Sequence, residues 1–92
     1  MATIRRYAEV DADVLACLRT WLTQHHVEMS AGDTGTISVR QGGLATIELD
    51  FDRDDGTGEF VLDITSKSDF IPDDNVWKVF DVGVADCGGA LP

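Results

Sequence analysis

Positive charge is what this sequence has least of. Seven Lys and Arg, with Lys67 and Lys78 the only lysines, face seventeen Asp and Glu, for a formal net charge of −10. Such a surface repels phosphate backbones and anionic lipid, which disfavours direct nucleic-acid binding and membrane attachment and steers basic partners toward the protein. The deficit is uneven. Residues 1–30 hold three Arg against four acids, whereas residues 31–92 hold four cations against thirteen.

Long apolar runs are also missing. None approaches the roughly 20 residues that cross a bilayer. Arg5 and Arg6 are not followed by the apolar stretch of a secretory leader, so a cytoplasmic location is expected, in the host cytoplasm if a phage encodes the protein. Cysteine is scarce, and two residues do not make a disulfide framework. Cys17, in a predicted helix, reads as a small core residue, and Cys87, in the "DCGGALP" tail, as a free thiol. There are no repeats or low-complexity linkers, and residues 1–92 read as a single domain.

Catalytic signatures are absent as well. No G-x-S-x-G, H-E-x-x-H, P-loop or G-x-G-x-x-G occurs. His25 and His26 are adjacent and project about 100° apart on a helix, without the i, i+4 partner that a metal site favours. They read as a helix-surface pair. Starting an EF-hand at Asp50 puts Asp55 where Gly is needed and Val61 where Glu is needed. No enzyme activity, cofactor or metal is therefore expected.

What is present is clear hydrophobic patterning. Asp11 or Asp13 offers an N-cap to a helix predicted over residues 12–29, with Val14, Leu18 and Leu22 on one stripe and Gly32 as its left-handed end. The period then switches to two. Residues 2–8 read as a weak edge strand, and 36–40, 45–51, 59–65 and 76–84 as successive strands. The resulting class is α+β, one amphipathic helix packed on a four- to five-stranded antiparallel β-meander.

An Asp55-Gly56 turn would pair Phe51 with Phe60, Leu49 with Leu62 and Ile47 with Ile64. A Gln41-Gly42-Gly43 loop, with Gly43 left-handed, would pair Ile37 with Ile47 and Val39 with Ala45. This register opposes Glu48 to Asp63 and Asp52 to Glu59, and sets Asp50 against Val61.

The densest charge lies in "ELDFDRDDGTGEFVLD", seven carboxylates and one arginine in sixteen residues. Alternation places Glu48, Asp50, Asp52, Glu59 and Asp63 on one face, with Val61 and, from the last strand, Trp77 as its apolar centre. An aromatic anchor inside a charged rim is the layout of a protein-binding surface. The expected function is that of a small acidic, non-enzymatic inhibitor blocking a basic, nucleic-acid-binding site on a partner protein, such as a nuclease. DNA-mimic, anti-CRISPR and immunity proteins offer an analogy of size, charge and architecture. The alternatives are an acidic homo-oligomeric or assembly subunit, whose charge serves solubility, and then a small enzyme.

Overall fold

The computed structural model describes residues 3–41 and 45–92. Its elements in chain order are β1 (Ile4–Tyr7), α1 (Ala12–Gln24), β2 (Val27–Met29), β3 (Thr34–Gln41), β4 (Ala45–Arg53), β5 (Phe60–Lys67) and α2 (Asp73–Asp86). The strands form one antiparallel sheet in the order β1-β5-β4-β3-β2. The α+β class expected from the patterning is thus the observed one, with a second helix in place of the last strand.

Helix α1 begins where Asp11 accepts a hydrogen bond from the Val14 amide at 2.8 Å. Val14, Leu15, Leu18 and Leu22 are its buried stripe. The helix stops earlier than its apolar spacing suggests. His26 takes a left-handed conformation (φ 62°), and Val27–Met29 turns into a strand whose Val27 and Met29 pair with Val39 and Ile37. Covering the β3 edge outweighs the local helical pattern. Gly32 also has positive φ, but in the β2–β3 connection rather than at a helix end.

The larger correction is residues 76–84, which are helical. Phe80, Val82 and Val84 alternate as a strand would, yet the buried set is Val76, Trp77, Phe80, Gly83 and Val84, spaced one, three or four residues apart. Pro72 precedes the helix and Asp73 and Asp74 lie in its first turn, where carboxylates meet the positive end of the helix dipole. At the other end Gly88 is left-handed (φ 98°), and the Gly89 and Gly88 amides donate to Val84 and Ala85, a Schellman closure. The tail is held in place: Ala90 pairs with Ala8.

The two helices run antiparallel on one face of the sheet. A Cβ on Gly83 would lie 2.8 Å from the Trp21 ring and 3.0 Å from Leu18, so this glycine lets them approach closely. One turn further on, Cys17 and Cys87 form a disulfide with Cα atoms 5.6 Å apart. Neither sequence-based reading of these cysteines holds. Cys17 is on the exposed side of α1, and Cys87 is not a free thiol. With residues 76–84 read as a strand, nothing brought the two near each other.

Strand register differs from expectation by two residues in both hairpins, and by three beyond a bulge at Glu48/Leu49, where Ile47 faces Lys67 rather than Ile64. Ile37 faces Leu49 and Val39 faces Ile47, while Gly42 and Gly43 of the proposed loop lie outside the described residues. In the second hairpin Arg53 pairs with Phe60, Phe51 with Leu62 and Leu49 with Ile64. The connecting loop is longer because Asp54 caps its own turn: its carboxylate accepts from the Gly56 amide and its carbonyl from Gly58. A slip of two residues leaves each side chain on its original face. Ile37, Leu49, Phe51, Phe60 and Leu62 are accordingly all buried beneath the helices.

Two polar clusters tie the edges of the fold together. Arg5 on β1 makes two hydrogen bonds, 2.8 and 2.7 Å, to the Asp81 carboxylate on α2, which also accepts from the Tyr7 hydroxyl at 2.7 Å. Buried Arg53 reaches Asp33 and Asp55, joining the β2–β3 and β4–β5 connections.

Candidate functional site

The helices cover one face of the sheet and leave the other open. Alternation along β4 sends Leu49, Phe51 and Arg53 inward and Glu48, Asp50 and Asp52 to solvent. The three open-face carboxylates follow one strand at intervals of about 7 Å. Pairing places Ser38, Thr36 and Thr34 of β3 beside them in turn, and Ser66, Asp63 and Val61 of β5 on their other side. Beyond β5 come Ile4, opposite Asp63, and Arg6, opposite Val61. The face is therefore a central line of acids between a column of hydroxyls and a mixed apolar and acidic column.

The seven carboxylates of the acidic stretch divide by role. Asp54 closes the turn and Asp55 pairs with Arg53 at 2.9 Å. Glu59, just before β5, lies 3.4 Å from Arg6 in an exposed pair of little energetic weight. Glu48, Asp50, Asp52 and Asp63 form no salt bridge among the described residues. The like-charge contact on this face is Asp50 directly opposite Asp63. The expected oppositions of Glu48 to Asp63 and Asp52 to Glu59 give way to Glu48 facing Ser66 and Asp52 facing Val61. The two-residue slip accounts for the second change, and the slip plus a one-residue bulge at Glu48/Leu49 for the first.

Six of the seven residues expected at the partner-binding face are brought together, with Glu59 at its corner. Trp77 is not among them. It is 5 % exposed, within the core under α2, and cannot anchor a partner on the open face. Val61, half-buried, and Ile4, 45 % exposed, supply the apolar patch instead. Sequence reasoning missed Ile4 and the β3 hydroxyls. The alternation in "TGTISVR" contains the signal for the latter, because Ile37 and Val39 inward require Thr36 and Ser38 outward.

Among the described residues no group of three or more His, Cys, Asp and Glu is arranged to hold a metal ion, and no helix is long and apolar enough to cross a membrane. No family model, curated protein or solved structure matches the chain.

Proposed function

We propose that the protein is a non-enzymatic binding protein whose open sheet face docks onto a basic, nucleic-acid-binding site of another protein and blocks it. The observation that carries this reading is the uncompensated row Glu48–Asp50–Asp52 with Asp63 set opposite Asp50. Opposed like charges cost a sheet a few tenths of a kcal/mol or more. The same charges become favourable when Lys and Arg side chains of a partner lie between them. A flat row of carboxylates also meets a surface that normally grips a line of phosphates, with hydroxyls alongside to accept and donate at the rim.

The non-enzymatic part of the reading is supported by the shape of the face. It is an open strand surface rather than a cleft, and surface carboxylates in water are weak acid–base catalysts. A cytoplasmic site of action would leave the Cys17–Cys87 pair reduced in most cells, so the disulfide favours a compartment or host that keeps thiols oxidised.

The test is capture of partners on immobilised wild-type protein and on the Asp50→Lys/Asp63→Lys double variant. Wild-type protein retains a basic protein that duplex DNA or RNA displaces, and the folded variant does not. A partner held equally by both refutes the assignment of the face.

A further inference from the structure

Beyond the end of α2 the chain turns back across one corner of the core. Gly89 runs against Val84, Val10 and Val14: a Cβ added there would lie 2.6 Å from Val84 and 3.3 Å from Val10, both fully buried. Ala90 then exchanges two hydrogen bonds with Ala8, 3.1 and 2.8 Å, just past the end of β1. The Ile64 amide donates to the Thr3 carbonyl, so by alternation Arg5 and Tyr7 also turn their backbone groups toward β5. Ile4, Arg6 and Ala8 point theirs to the outer edge of the sheet, and the tail covers that edge at Ala8.

Little besides Cys87 holds this segment. After the Schellman closure its backbone makes only the Ala8 pair among the described residues, and Leu91 is 47 % exposed. Gly88 and Gly89 lose more backbone freedom on ordering than other residues do, which favours release. The bond from Cys87 to Cys17 opposes release by fixing the root of the tail against α1. That bond is within reach of a thiol, since Cys17 is exposed and Cys87 only partly buried. Helix α2 has other anchors: Val76, Trp77 and Phe80 are buried, and Asp81 is held by Arg5 and Tyr7.

We propose that Cys17–Cys87 is a redox latch on the C-terminal tail, closed when oxidised and opened by a dithiol reductant. A thiolate of the reductant attacks the Cys17 Sγ, and Cys87 leaves as a thiolate that takes up a proton. The second reductant thiolate then displaces Cys17, which is protonated in turn. The dithiol becomes a disulfide and the protein gains two thiols. Residues 88–92 leave Ala8 while the sheet and both helices stay in place, and the β1 edge is then unpaired from Ile4 to Ala8.

The test is NMR relaxation of the backbone amides of the full chain, oxidised and after addition of dithiothreitol. Order parameters at Gly89 and Ala90 should fall from about 0.85, the value of rigid backbone, to below about 0.6. The Ile64 amide and those of β4 should stay rigid, and re-oxidation should restore the tail. The Cys17→Ser/Cys87→Ser variant should show the open tail without reductant. A reduced protein whose Ala90 amide stays as rigid as in the oxidised form overturns the proposal. So does a reduced protein or a variant that unfolds throughout, since the bond would then be a staple of the whole domain.

Discussion

Asp50 and Asp63 stand directly opposite each other on β4 and β5, on the face of the sheet that no helix covers. Thr36 flanks Asp50 and Ile4 flanks Asp63, so neither cross-strand neighbour is a cation. The pair makes the open face slightly unfavourable in the isolated protein, and this links the fold to the proposed function. Asp63→Asn keeps the shape and removes one charge. It is expected to raise stability by about 0.2–1 kcal/mol in low salt, with the gain shrinking as salt is added. Urea unfolding at two ionic strengths measures it, and a loss of stability would mean that Asp63 has a favourable partner.

Tyr7 supplies a prediction about pH. Burial, followed by its hydrogen bond to Asp81, holds the phenol well above its ordinary pKa. A group whose folded pKa is raised contributes stability that is fully present below the unfolded pKa and is lost as pH climbs beyond it. The unfolded phenol titrates near 10, so unfolding free energy should decline as pH rises above about 10. Tyr7→Phe should be less stable at neutral pH, because Asp81 loses a donor, but show a shallower alkaline decline. Urea unfolding of both proteins from about pH 8 to about pH 11 compares the slopes.

The disulfide closes a loop with a sequence separation of 70 between two helices that otherwise meet at Gly83. Chain-entropy arguments assign a closure of this length about 4 kcal/mol, a large fraction of the stability of a domain this size. Unfolding in the presence of a thiol reductant, or of the Cys17→Ser/Cys87→Ser variant, should shift to distinctly lower urea. An unchanged midpoint would show that the pair is not bonded in solution.

Which parts of this were legible in the sequence follows from what each pattern reports. Alternation states which face a side chain takes. The burial of Leu49, Phe51, Phe60 and Leu62 and the exposure of Glu48, Asp50 and Asp52 could therefore be read directly. It does not count hydrogen bonds along the ladder, and both hairpins slipped by two residues without any change of face. Residues 76–84 were ambiguous because Phe80 and Val84 satisfy both periods. Trp77 decides between them, since a strand would expose it opposite Phe80 whereas the helix buries both. That one choice carried the disulfide and the anchor residue with it. Val27–Met29 was beyond local reading, since its strand exists only because β3 presents an edge to be paired.

The central claim is that the open-face carboxylates make the contact with a basic partner. Its most direct measurement is the affinity of the captured partner for wild-type protein and for Asp50→Lys/Asp63→Lys, at low and high salt, once circular dichroism shows that the variant is folded. Both side chains sit on the uncovered face, so the fold should tolerate the change while attraction becomes repulsion. The predicted result is wild-type binding that weakens with salt and competes with duplex nucleic acid, and no measurable binding by the variant. A folded double variant that binds the same partner with undiminished affinity would contradict the account.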